Sequence, residues 1–368
     1  MAGEGRTILA AHENRKQFQT LDGLRGVAAL IVVMWHGDTL FGGLRPMSGY
    51  LAVDLFFGLS GFVISHAYGA RLTEGLSAAR FMGLRLIRLY PLYILGIGLA
   101  AAYDVAGLAM GSPLNPASWY LSSAAMAPAP PSAQSQILYP MNPPAWSLFF
   151  ELLSNLGLAL APVMILRIRN LLIIVAVAIA ALAAQSAIAG DLHGGSMWPT
   201  VWGGLPRVAV SFALGALIYR WSPRLRFKPP AALLLAIAAA LLFVDAPDAL
   251  RPWYDFLVVV LVWPSILVCA VNAEPSARLQ PTFAWLGMVS YAVYALHFPI
   301  IVAITGVLRR LAPRLLADAP LAVGVICLVA SLLAAWIADI VYDQPVRRAL
   351  TRWAARPRAR DADAAQES

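Results

Sequence analysis

Ten apolar stretches, most of them near the length of a bilayer crossing, follow one another from end to end of the chain. A helix needs about 20 apolar residues to traverse the ~30 Å hydrocarbon core. In lipid every backbone N–H and C=O must be satisfied internally, which favours helices for such segments. The predicted spans are about 24–42, 50–70, 86–110, 146–166, 170–190, 200–220, 230–245, 253–272, 283–307 and 319–341. Composition agrees: 60% of the 368 residues are hydrophobic, 12% are charged, and the mean hydropathy is +0.71. Soluble chains run nearer half apolar and a quarter charged. The expected fold is therefore all-α, a polytopic membrane protein with about ten transmembrane helices.

Arginine and lysine set the expected orientation. With the amino terminus in the cytoplasm, the inside segments collect Arg71, Arg80, Arg85, Arg88, Arg167, Arg169, Arg220 and six arginines from Arg347 to Arg360. The outside segments hold only Arg45, Arg251, Arg309, Arg310 and Arg314. That asymmetry predicts both termini inside. It also accounts for the net charge of +8 without nucleic acid. Residues 1–20 lack an apolar run, so the first span is expected to serve as an uncleaved signal anchor. Three regions follow: a cytoplasmic segment at 1–15, a membrane domain at 16–350, and a disordered cytoplasmic tail at 351–368, basic and then acidic. Cys269 and Cys327 lie inside apolar segments and read as structural thiols. The proline-rich connection from Gly111 to Ala145 carries no charge. It is expected to lie on the membrane surface or to cap a cavity, a passive linker being the plainer alternative.

Ionisable groups within spans are costly and mark partners, cavities or sites. LDGLRGVAALIVVMWH (Leu21 to His36) carries Asp22, Arg25 and His36. Arg25 and His36 are eleven apart, close to three turns, so they share a helix face about 16 Å apart along the axis. Headgroup snorkelling by Arg25 and an interfacial His36 would be the unremarkable explanation. In DLFFGLSGF, Asp54 needs a cation or donors, while Ser60 and Gly61 permit close helix packing. RLIRLYPLY puts Arg85 and Arg88 on one side of a helix, a fork suited to phosphate, or else ordinary positive-inside anchoring. In AWSLFFELLSN, Ser147, Glu151 and Asn155 form a polar stripe near the outer boundary, with Arg207 as a possible structural partner for Glu151. SYAVYALHFP aligns Ser290, Tyr294 and His297. No HExxH metal spacing, P-loop, GxGxxG or GxSxG pattern occurs, and no metal is expected.

Taken in order, LDGLRGVAALIVVMWH, GYLAVDLFFGLSGFVIS, RLIRLYPLY, PAWSLFFELL, SYAVYALHFPI and YDQPVRR make the chain resemble the acyltransferase 3 family of integral membrane O-acyltransferases over about residues 16–350. The family's R-x10-H pattern matches Arg25 and His36, FFxxSG matches Phe56, Phe57, Ser60 and Gly61, and RxxR matches Arg85 and Arg88. Its tryptophan-serine-leucine-x-x-glutamate pattern matches Trp146, Ser147, Leu148 and Glu151. Asp343 stands where the family usually has Glu. The resemblance implies transfer of an acyl group, most often acetyl, from cytosolic acyl-CoA to a hydroxyl of an extracytoplasmic or lipid-linked glycan. It implies a bacterial inner-membrane, multi-pass location, with acyl-CoA, glycan and membrane lipid as partners and no nucleic acid. In this reading His36 is the general base and Glu151 orients it or binds the sugar. Arg25, Arg85 and Arg88 hold the coenzyme A phosphates, while Ser60, Asp54 and His297 contact substrate. Direct transfer is preferred to an acyl-histidine, which water would threaten. The competing class is a transporter or flippase of a glycan or lipid-linked substrate, using the same charges as a relay.

Overall fold

The computed structural model describes residues 18–221 and 228–355. The expected segment at 1–15 and the part of the expected tail from 356 onwards lie outside the described residues. The main helices among the described residues are α1 (Gln19–His36), α2 (Ala52–Thr73), α3 (Ala78–Leu108), α4 (Trp146–Leu160), α5 (Ile168–Ala189), α6 (Gly204–Trp221), α7 (Ala231–Phe243), α8 (Arg251–Asn272), α9 (Gln280–Leu311) and α10 (Pro320–Ala354). Seven, α2, α3, α5, α6, α8, α9 and α10, are long and apolar enough to cross a membrane, counting the short turns that lead into α2 and α6. α7 is apolar but short, α4 has 15 residues, and α1 carries Asp22, Arg25 and His36. No β-strand occurs among the described residues; a single antiparallel bridge joins Ile137 to Met197. The protein is an all-α, multi-pass integral membrane protein.

Several helix edges differ from expectation for local reasons. α1 stops at His36 rather than 42, because Asp38 takes a positive φ of 42° and the chain turns into a tight 3₁₀ segment. α3 runs as one 31-residue helix through Pro91, which absorbs the missing backbone bond. α8 and α10 each contain a π-helical turn, Val258–Val262 and Asp339–Asp343. Helix persists to Ala354, so the first residues of the expected tail, 351–354, are helical.

α9 is the centre of the bundle, packed along α1 and against α3 and α10, while α2 packs on α6 and α6 on α5. The α2–α6 crossing is a glycine contact. A Cβ on Gly61 would run into the Phe212 carbonyl oxygen, and one on Gly215 into the Gly58 carbonyl oxygen. Both obstacles are backbone and cannot rotate away, so the helices approach only because these positions lack side chains. We expect Gly61→Ala to cost about 1–3 kcal/mol as an overpacked core does. A drop in the thermal midpoint in detergent measures it.

The connection from Gly111 to Ala145 is no passive linker. Trp119, Leu138, Tyr139, Met141 and Asn142 are buried. Asn142 Nδ2 donates to the Ala295 carbonyl in the middle of α9 (2.9 Å), and Leu138 N donates to Ser196 O (3.0 Å). Residues 137–145 therefore dip into the bundle, and α4 begins inside it.

Candidate active site

Two cavities lie along α1 and α9. The arginine cavity, about 390 Å³, is lined by Asp22 and Arg25 of α1, Ser60 of α2, Arg85 and Arg88 of α3, Ser147 and Glu151 of α4, and Ser290, Tyr291 and Tyr294 of α9. The histidine cavity, about 100 Å³, is lined by Val32, Trp35, His36, Tyr50, Val53, Pro143, Pro144, Trp146, His193, Arg207 and Tyr294, among others. Tyr294 faces both. Its hydroxyl donates to Pro144 O (2.7 Å) and lies 2.6 Å from Ser147 Oγ, while its ring stands edge-on to Phe56. This group forms the wall between the cavities.

α1 and α9 carry matched pairs past that wall. Arg25 Nε donates to Ser290 Oγ (2.8 Å), and its Nη2 donates to Asp22 (2.8 Å) and to Gly287 O (3.0 Å). Further along, His36 Nδ1 lies 3.2 Å from His297 Nε2 and 2.9 Å from Val32 O. α1 is continuous between Arg25 and His36, so the axial offset of about 16 Å holds, with one residue lining each cavity.

The two histidines constrain each other's tautomers. His297 Nδ1 faces the carbonyl oxygens of Val293 (3.0 Å) and Tyr294 (2.9 Å), which only accept, so Nδ1 carries the hydrogen. The Nε2 of a neutral His297 is then an acceptor, and His36 Nδ1 is the donor shared between it and Val32 O. That leaves the lone pair of His36 on Nε2, the form a general base requires. His297 lines neither cavity. It stands behind His36 rather than contacting the cavity space, as its expected substrate-binding role would have required.

In the arginine cavity each cation has a carboxylate. Arg85 Nη2 donates to Glu151 Oε1 (2.6 Å), which also accepts from Ser60 Oγ (2.8 Å). Arg88 lies over the Tyr291 ring, with Nη1 3.6 Å from Asp343, a separation too long for a hydrogen bond. The π-helical turn of α10 places that carboxylate, which Arg347 also meets at 2.8 Å. Arg85 Nε and Arg88 Nη1 are buried with no hydrogen-bond partner among the described residues. Buried donors without acceptors are unfavourable.

Two expected placements do not occur. Glu151 does not reach His36; it lines the arginine cavity and neutralises Arg85. The reason is the dipping loop, which packs against the middle of α9 and carries the first two turns of α4 into the arginine cavity. Arg207 consequently does not pair with Glu151. It pairs with Asp54, with Nη2 2.5 Å and Nε 3.1 Å from the two carboxylate oxygens. Asp54 is fully buried and lines neither cavity, which removes it from direct substrate contact.

His193 is a cavity residue the sequence reading did not single out, and Arg207 is one it considered only as a structural partner of Glu151. Arg207 is a lone cation in an apolar span, a usable signal. His193 sits in a loop between α5 and α6 with no such mark; there its ring packs on Tyr50 and Trp35. Burial first, and then Arg207 nearby, push His193 below its ordinary value, keeping it neutral.

Arginines lining one cavity and an imidazole with its Nε2 lone pair free in the next, joined along one helix, suit group transfer to a nucleophile. A family profile described as "Acyltransferase domain" matches residues 18–340, and the chain belongs to that family, the acyltransferase 3 family. The protein is a membrane acyltransferase. It is 42% identical over 153 residues to "Protein 2 in picA locus" of Rhizobium radiobacter, covering 38% of this chain and 80% of that protein. It is 27% identical over 317 residues to the "Putative membrane-bound transacylase BcsY" of Komagataeibacter xylinus, covering 82% of this chain and 77% of the relative. No solved structure matches it significantly.

Proposed function

We propose that the protein moves an acyl group, acetyl in the first instance, from cytosolic acyl-CoA to a hydroxyl of an extracytoplasmic or lipid-linked glycan, in the inner membrane of a bacterium. The observation that carries this reading is that Arg85 and Arg88 both line a 390 Å³ cavity, with Arg25 beside them. Arginine forks match phosphate oxygens, and the positive-inside rule puts this end of α1 and α3 in the cytoplasm. Coenzyme A phosphates take those donors, with Arg25 completing the positive rim. The pantetheine arm extends along α1 over the 16 Å to His36. Passage of the thioester requires the Tyr294–Ser147 contact to part. In the histidine cavity the acceptor oxygen attacks the thioester carbonyl as His36 Nε2 takes its proton. The thiolate of coenzyme A leaves with that proton as the tetrahedral species collapses. His297 holds the ring and its tautomer; Glu151 and Ser60 hold Arg85. Trp35, Tyr50 and Trp146 offer flat faces against which a sugar ring packs.

Purified protein in nanodiscs, titrated with radiolabelled acetyl-CoA, tests the donor assignment. Arg85→Ala deletes a phosphate donor and leaves the Glu151 carboxylate facing the incoming anion. Loss of one charge-assisted hydrogen bond, about 1.5–3 kcal/mol, predicts donor affinity lower by about 10–150-fold. Unchanged acetyl-CoA affinity in this variant would remove the clamp from the account. Movement of glycan across vesicles without acetyl-CoA consumption would favour a transporter instead.

A further inference from the structure

Arg207 is the most deeply buried cation described, 1% exposed in the middle of the bundle. A buried ion pair is a weak device for stability, since well-packed apolar residues of the same volume often do as well. Its hydrogen-bond count suggests a different purpose. A guanidinium has five N–H groups. Nε and one Nη2 hydrogen go to the two Asp54 oxygens, the other Nη2 hydrogen goes to Tyr50 O (3.0 Å), and one Nη1 hydrogen goes to Gly194 O (3.0 Å). The fifth, also on Nη1, has no acceptor among the described residues, and Arg207 lines the histidine cavity. The guanidinium is fixed from every side. Trp146 lies 5.3 Å beneath it, and the Gly194 loop is tied by Leu192 N to Asp255 (3.0 Å). A rigid guanidinium lining the same 100 Å³ space as the base is an arrangement for stabilising developing negative charge.

We infer that Arg207 is a further catalytic residue, donating its free Nη1–H to the thioester carbonyl oxygen as that oxygen becomes an oxyanion opposite His36. The inference rests on the proposed acyl transfer. The acceptor oxygen bonds to the carbonyl carbon, the carbonyl π pair moves onto oxygen under Arg207, and the acceptor proton moves to His36. Collapse returns the pair, breaks the C–S bond, and the thiolate takes the proton from His36. Asp54 is then a positioning residue that fixes the guanidinium from behind.

Arg207→Lys keeps the charge and loses the fork. The expected result is a fall of about 10²–10³-fold in kcat, the usual effect of one oxyanion donor, with acetyl-CoA affinity unchanged. Acceptor-independent hydrolysis of acetyl-CoA should fall by the same factor, because the same oxyanion forms when water attacks. Wild-type-like kcat would overturn the inference. So would a higher acceptor KM with hydrolysis intact, since that marks an acceptor-binding residue, or losses of donor binding and activity in equal measure, which mark a structural one. A second measurement avoids any folding defect. Carbonyl-¹³C acetyl-CoA bound to the inactive His36→Ala protein should show its C=O stretch displaced to lower wavenumber; an undisplaced band would overturn the assignment. Wild-type protein that neither binds nor consumes acetyl-CoA would defeat the acyl-transfer reading itself, a result distinct from active wild type with unaffected Arg207→Lys.

Discussion

His36→Ala should abolish acceptor-dependent transfer, with a rate loss of about 10²–10⁴-fold, while acetyl-CoA still binds. The separation of effects follows from the geometry. His36 lines the small cavity and Arg85 and Arg88 line the large one, with the Tyr294 wall between them. Removing the imidazole takes away the only lone pair that the histidine pair leaves free, His36 Nε2, and touches no group in the arginine cavity. Initial rates of labelled acetyl transfer, alongside equilibrium binding of acetyl-CoA, check both halves. Parallel loss of binding and turnover would mean that His36 supports the fold rather than the reaction.

The second large effect falls on stability. Asp54→Ala removes both carboxylate contacts from Arg207 and leaves a guanidinium uncompensated in the bundle core. Breaking a buried pair from one side costs about 3–5 kcal/mol, more than replacing both partners together. The variant should therefore unfold at markedly lower temperature, or fail to accumulate in the membrane. Asp54→Asn should suffer less, since its amide oxygen still accepts from the fork. A thermal midpoint for Asp54→Ala within a degree or two of wild type would show that the pair is hydrated, contrary to its burial.

The helices were legible in the sequence because a span is a one-dimensional property: length and hydropathy decide it, and among the described residues seven helices are long and apolar enough to cross a membrane. Arg25 and His36 were legible for a related reason, since helical rise alone puts them on one face at a known offset. The face of α9 was half legible. Ser290, Tyr294 and His297 do align, and periodicity says so, but their partners on α1 and α4 are tertiary facts. Glu151 shows where such reasoning stops. Its depth was judged from the start of α4, taken to be the membrane surface. Residues 137–145 enter the bundle and hydrogen-bond α9, so α4 starts deep and Glu151 joins Arg85. A charge-free, proline-rich loop has no local mark that tells a buried path from a surface one. The pairing of Arg207 with Asp54 rather than Glu151 follows from the same depth. His193 reaches the site only because its loop is pinned from α6 and α8.

The central claim is that donor and acceptor meet from opposite ends of the bundle, acyl-CoA through the arginine cavity and the hydroxyl at the histidine cavity. Sealed proteoliposomes with the protein in one orientation test this most directly, because acyl-CoA does not cross a bilayer. Labelled acetyl-CoA is supplied only on the face that bears the ends of α1 and α3 nearest Arg25 and Arg85, and acceptor glycan only on the other. The account predicts labelled acceptor on the far side and free coenzyme A on the near side, with nothing when the two reagents are exchanged. Transfer only when both reagents share one face would contradict it.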